Sequence, residues 1–139
     1  LNYICDTIGI SLFKRMFEVI LTDNGVEFSD PLSLEIDPLT GEKRLSVFYC
    51  HPYASREKGA CEKNHEYIRY ILPKGSIFDC LSQEDIFLMM SHVNSTIRPS
   101  VKGSPYDFMA LTFGKEVLDL LQIKKIDPKL INLTPSLLK

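Results

Sequence analysis

A short apolar run, Phe17-Glu18-Val19-Ile20-Leu21-Thr22, stops abruptly at Asp23-Asn24-Gly25. β-branched and apolar side chains suit a packed, extended backbone, and Asp-Asn-Gly is a strong turn signal. The run reads as a buried strand whose carboxyl end delivers Asp23 to a loop. Leu45-Ser46-Val47-Phe48-Tyr49-Cys50 reads as a second short strand, leaving through His51-Pro52, where the residue before proline prefers an extended backbone. Beyond it the apolar spacing turns helical, which places the chain in the α/β class.

Leu1 to Phe17 reads as one or two short helices around Gly9, with Leu12, Phe13, Met16 and Phe17 turned inward. Phe28 to Arg44 is polar and carries Pro31, Pro38 and Gly41; it is expected to be a loop, with a turn at Thr40-Gly41-Glu42-Lys43. A helix is expected from Glu57 or Gly59 to about Leu72, with Ile68, Ile71 and Leu72 inside and Lys63, Glu66 and Arg69 towards solvent, ended by Pro73-Lys74-Gly75. Ser82 and Asp85 have the spacing of a capping box for the next helix. Asn94 to Gly103 reads as a loop, and Ser104-Pro105 starts a further helix with proline in its first turn. The stretch from Lys115 carries an apolar helical patch, Val117-Leu118-Leu120-Leu121, and then loosens through Asp127-Pro128 and Thr134-Pro135. That patch is expected to pack rather than to serve as a partner-binding arm.

The chain has 139 residues, 45% hydrophobic and 24% charged, enough for one domain with a real core. No apolar run approaches the roughly 20 residues of a membrane helix. The first residues, Leu1-Asn2-Tyr3, carry neither a signal peptide's basic region nor a cleavage site, and no initiating Met, so the chain is expected to begin inside a longer protein. The net charge of −2 does not suggest a protein that grips nucleic acid unaided, so any affinity for it must be local or supplied from elsewhere. Cys5, Cys50, Cys61 and Cys80 are scattered and are expected to be free thiols in a reducing cytosol. Cys61 and His65 can share a helix face, but no second pair completes the four ligands of a zinc site.

Two carboxylates stand out. Asp23, at a strand's carboxyl end, is rigidly held and exposed; the plainer reading is a turn residue. Glu62 lies in Gly59-Ala60-Cys61-Glu62-Lys63-Asn64, where small residues permit close approach by a backbone or a nucleic-acid strand; the plainer reading is a solvated glutamate favoured by the helix dipole. A carboxylate ending a strand, a second strand, then a glutamate on a helix is an arrangement seen in nucleotidyl transferases. Oxygen-rich sites of this kind suit Mg²⁺ or Mn²⁺.

Four motifs in order carry a resemblance. Leu21-Thr22-Asp23-Asn24-Gly25-Val26-Glu27-Phe28 resembles the segment around the second catalytic aspartate of transposases of the retroviral-integrase type, often called DDE transposases. Glu57-Lys58-Gly59-Ala60-Cys61-Glu62-Lys63-Asn64 resembles the segment holding their catalytic glutamate. Ile68 to Gly75 is similar to the helix end that follows in one group of bacterial insertion sequences. Asn94, Ile97-Arg98-Pro99 and Ser104-Pro105-Tyr106 are similar to that group's closing motif. The resemblance covers residues 1–112 and leaves 113–139 as a helical tail.

The resemblance implies a ribonuclease-H-like integrase core, here reduced to its last two strands, parallel and joined by a crossover, with the helices that follow. It implies DNA transposition: metal-dependent phosphodiester cleavage and strand transfer at transposon ends. Asp23 and Glu62 would be catalytic residues and ligands of a two-metal Mg²⁺ or Mn²⁺ site. Asn24 and Asn64 would shape that site or touch DNA, and Lys58, Lys63, Arg69 and Lys74 would contact phosphates. Residues 24 to 61, 38 in all, separate the two carboxylates, slightly more than is usual in the family, and the Pro31–Arg44 segment can absorb the difference. The first of the family's three carboxylates has no counterpart, because Asp6 stands too close to Asp23. The chain by itself is therefore expected to be inactive, the activity belonging to a parent protein. The alternative is a non-catalytic remnant or truncated product that binds transposase or DNA as a regulator. The expected setting is the bacterial cytoplasm at the nucleoid, with DNA as partner, no membrane and no small-molecule substrate. Self-association is expected through a bared sheet edge.

Overall fold

The computed structural model describes every residue except Asn24, residues 52–58, Ser100, Val101 and Lys139; the side chains of Glu27, Ala60 and Cys61 also lie outside the description. The chain divides into two compact units, Leu1–Gly59 and Ala60–Lys139.

The first unit opens with helices α1 (Asn2–Ile8) and α2 (Ile10–Met16). Gly9 ends one and starts the other at φ 82°, a backbone region that costs glycine little and strains other residues. Phe13 is fully buried, while Leu12, Met16 and Phe17 are half-buried. Strands β1 (Val19–Thr22) and β2 (Ser46–Tyr49) pair in parallel, with Ile20 opposite Val47 and Thr22 opposite Tyr49. A parallel pair requires a crossover connection, and residues 23–45 supply it.

The structure corrects two expectations here. The first strand is not buried throughout: Val19 and Leu21 are exposed on one face, with exposed Phe48 of β2 beside Leu21, while exposed Tyr49 lies on the other face. A sheet of two strands has too little width to be covered on both faces by its own crossover. The second correction concerns Phe28 to Arg44, which is ordered rather than a plain loop. It holds helix α3 (Pro31–Glu35), whose start is set by Asp30 accepting from the Ser33 amide and by proline at the first position. The turn that follows begins at Asp37 rather than Thr40. The Asp37 carboxylate accepts from the amides of Leu39 and Thr40 at 2.9 and 2.8 Å, and Gly41 N–H donates to the Asp37 carbonyl.

Arg44 and Asp37 are both buried, with Nη1 of Arg44 3.9 Å from the carboxylate. The guanidinium also donates to the carbonyls of Leu34 and Ser33 and lies 5.6 Å from the centre of the Phe13 ring. Cys5 Sγ donates to the same carboxylate at 3.4 Å, so the group ties α1, α2 and the crossover together. Burial pushes the Cys5 thiol above its ordinary pKa, whereas the amide of Thr40 and the neighbouring donors hold Asp37 below its own.

The two sides of the sheet differ. Ser46 and Cys50 donate to carbonyls of the first strand's run, Glu18 and Thr22, so the Val47 amide between them faces away from β1. Glu35 accepts that amide at 2.8 Å, and this bond lowers the Glu35 pKa. The outer side of β2 is thereby occupied by α3, a common way to blunt a sheet edge.

The second unit contains α4 (Gly59–Ile71), α5 (Gln83–Ser95), α6 (Pro105–Phe113) and α7 (Lys115–Leu120). The capping box at Ser82 and Asp85 forms as the spacing predicts, and Ser104 caps α6 through the Asp107 amide. Ile71, Met89 and Val93 make the buried centre, with Ile68, Leu72, Leu133 and Leu137 packed on it. The expected inner face of α4 is therefore the observed one. Val117 and Leu118 of α7 are buried.

Residues 123–138 are docked along α5. Ser91 Oγ accepts from the Lys124 amide at 3.0 Å, Ser95 Oγ from the Ile126 amide at 2.9 Å, and His92 Nδ1 from the Asn132 amide at 3.1 Å. Burial pulls the His92 imidazole below its ordinary pKa, and Nδ1 accepts only in the neutral ring. The folded chain thus takes up the proton less readily than the unfolded chain. This stabilisation is full above the unfolded value of about 6.5 and is lost as pH falls from there towards the folded value. The thermal midpoint of the chain is expected to drop on acidification from about pH 7.5 to about pH 5.5, and to drop less in His92→Gln. Equal pH dependence in the two proteins would show that His92 protonation is not felt.

Candidate functional site

Asp23 stands one residue beyond β1 and is exposed. Its backbone position is fixed from behind. Thr22 is buried, and its carbonyl accepts from Cys50 N–H at 2.7 Å. It is also fixed from ahead, since residues Val26–Phe28 form a 3-10 turn whose last carbonyl accepts from the Tyr49 hydroxyl at the end of β2. Asp23 is thus exposed at the carboxyl end of a strand whose last carbonyl is bonded to the neighbouring strand. That is what a carboxylate needs if it is to be both accessible and held in place.

Glu62 lies exposed in the first turn of α4, where the helix dipole favours a negative side chain. Asp23 and Glu62 belong to different units. Among the described residues, no group of three or more His, Cys, Asp or Glu is placed to hold a metal ion.

Of the other sequence-predicted residues, Asn64 has a defined partner. Its Oδ1 accepts from Arg98 Nη2 at 2.9 Å, and the Arg98 guanidinium lies 4.9 Å from the centre of the Tyr67 ring. Lys63 is ion-paired with Glu66 one turn on, and that hydrogen bond raises the Lys63 pKa. A phosphate at Lys63 would have to compete with this carboxylate. Arg69 and Lys74 are exposed and line one cavity of about 310 Å³ together with His65, so the structure does bring these two cations to a common hollow. Asn24 and Lys58 lie outside the described residues. Arg98 enters the sequence pattern only as part of Ile97-Arg98-Pro99; its link to Asn64 spans 34 residues and has no local signal.

A larger cavity, about 480 Å³, lies within the second unit, with Lys63, Asn94 and Arg98 among its lining and an apolar wall from α6 and α7. Among the described residues no helix is long and apolar enough to cross a membrane.

No protein-family model matches the chain, and no solved structure matches it. Two curated proteins do. The transposase for insertion sequence element IS4351 of Bacteroides fragilis is 28% identical over 85 residues, which are 61% of this chain and 24% of that protein. The transposase for insertion sequence element IS1086 of Cupriavidus metallidurans is 27% identical over 101 residues, 72% of this chain and 28% of that protein. The chain thus spans about a quarter of the length of these relatives. By these two alignments the chain is related to insertion-sequence transposases.

Proposed function

We propose that this chain is part of the catalytic region of a DNA transposase of the retroviral-integrase type, with Asp23 and Glu62 as two of its catalytic carboxylates. The observation that carries this reading is the placement of Asp23 directly after a strand of a parallel pair, within the Thr22-Asp23-Asn24-Gly25 motif, in a chain related to transposases. Glu62, exposed at the start of a helix, has the accessibility the second carboxylate requires.

Both side chains offer hard oxygen donors of the type that hold Mg²⁺ or Mn²⁺. Such ions, when bound, activate the attacking oxygen and stabilise the leaving one at a phosphodiester. The described residues supply this kind of donor but no group of three. The metal site and the cleavage and strand-transfer chemistry are accordingly proposed for the longer protein, and no chemical step is assigned to this chain by itself. A ribonuclease-H-like core is part of the same proposal, resting on the parallel pair β1–β2 and the helices after it. Arg69 and Lys74, sharing one hollow, are proposed to meet DNA phosphates, and Asn64 is proposed to position Arg98 at the larger cavity. Self-association is proposed through the side of β1 turned away from β2, where Val19 and Leu21 are exposed. The bacterial cytoplasm, at the nucleoid, is the setting that this activity requires.

A second reading, that the chain acts without catalysis as a partner of transposase or DNA, is favoured by the lack, among the described residues, of a group of three side chains placed to hold a metal ion. Mn²⁺-dependent nicking of supercoiled plasmid separates the two. The transposase carrying this sequence is expected to nick, and its Glu62→Ala variant to lose nicking. Nicking that survives Glu62→Ala would remove Glu62 from the chemistry.

A further inference from the structure

The cavity of about 480 Å³ in the second unit is of the size that takes a small ligand or one residue of a polymer. Its lining is divided by chemistry. Phe108 and Met109 of α6 and Leu118 of α7 form an apolar wall, while Lys63, Asn94 and Arg98 bring two cations and an amide to it. No carboxylate is among the described side chains that line it. Arg98 is held by its bond to Asn64 and by the Tyr67 ring, yet its Nε is buried without a hydrogen-bond partner among the described residues. A buried donor of this kind is costly unless a ligand or water accepts from it. Phe108 is 60% exposed, an aromatic face open at the cavity's rim.

A flat apolar group joined to an anion matches this division: the flat group against Phe108 and Met109, the anion at Arg98, with Lys63 nearby but already paired with Glu66. We propose that the cavity holds one nucleotide of single-stranded DNA, its base on the α6 wall and its phosphate at the Arg98 guanidinium. This rests on the transposase reading and adds to it a place for an unpaired base, distinct from the residues proposed for cleavage. Stacking on an aromatic ring is indifferent to base identity, so the site should distinguish single strands from duplex rather than one sequence from another.

The test is fluorescence anisotropy on the full chain at fixed salt, with a labelled short oligothymidine and a labelled duplex of the same length. Phe108→Ala is expected to weaken oligothymidine binding about tenfold, the scale of one lost base–aromatic stack, and to leave duplex binding and the melting temperature unchanged. Tyr3→Ala, which removes an exposed aromatic in the first unit, is expected to change neither. Unchanged oligothymidine binding in Phe108→Ala overturns the proposal, as does an equal loss on both DNAs. If Phe108→Ala instead dissociates a dimer while binding DNA normally, the cavity is an interface between copies and the proposal fails. Duplex binding by the unmodified chain without single-strand binding sinks this proposal alone. Binding of neither DNA sinks it and counts against the transposase reading as well.

Discussion

Asp23→Asn is expected to reduce strand cleavage by the transposase carrying this sequence by more than about a hundredfold, with little change in its melting temperature. Losing a residue that merely supports a metal ligand costs roughly 10–100-fold, and removing a ligand's charge should cost more. Asparagine keeps the size of the side chain and one oxygen acceptor, so the turn after β1 should survive. The backbone anchors on either side, Thr22 with Cys50 and Phe28 with Tyr49, involve other residues and stay in place. Cleavage is measured on a labelled transposon-end duplex with Mg²⁺, and folding by circular dichroism. A variant that cuts at the parent rate would return Asp23 to the role of a turn residue.

The second large effect is on stability. Arg44→Ala is expected to lower the melting temperature of the chain by about 10 °C or more, since removing one member of a buried ion pair leaves the other without its counter-charge. Here the loss is compounded. Arg44 also satisfies the carbonyls of Leu34 and Ser33 and covers the Phe13 ring. Asp37→Asn tests the electrostatic part separately, because an amide oxygen can still accept from Leu39 and Thr40. It should destabilise less than Arg44→Ala. If Arg44→Ala melts with the parent protein, the Asp37–Arg44 pair does not hold the first unit together.

Elements with local signals are legible in the amino-acid sequence. The capping box at Ser82, proline at the start of α6 and the apolar spacing of α4 each act within a few residues, and the structure has them where the spacing places them. The crossover is not legible in this way. Its order depends on Asp37 meeting Cys5, 32 residues away, and Arg44, and a polar segment with two prolines hides such contacts. The exposed faces of β1 and β2 are likewise hidden, because an apolar run does not reveal how many strands share the sheet. In the candidate site, Asp23 and Glu62 can be picked out because each sits at an element boundary. The Asn64–Arg98 link cannot, because it joins α4 to a loop beyond α5.

The docking of residues 124–132 onto α5 places an unusual constraint on variation. At each of the three bonds the segment contributes a main-chain amide, and the helix contributes the side chain of Ser91, Ser95 or His92. Every amino acid but one carries that amide. Lys124 and Ile126 can therefore change identity without losing these bonds, whereas Asn132 also holds Thr134 and Ser136 through its side chain, and proline at any of the three removes the bond made there. Homologous sequences should vary freely at Lys124 and Ile126 and still avoid proline at all three places, while a serine or histidine lost from α5 would have no such freedom.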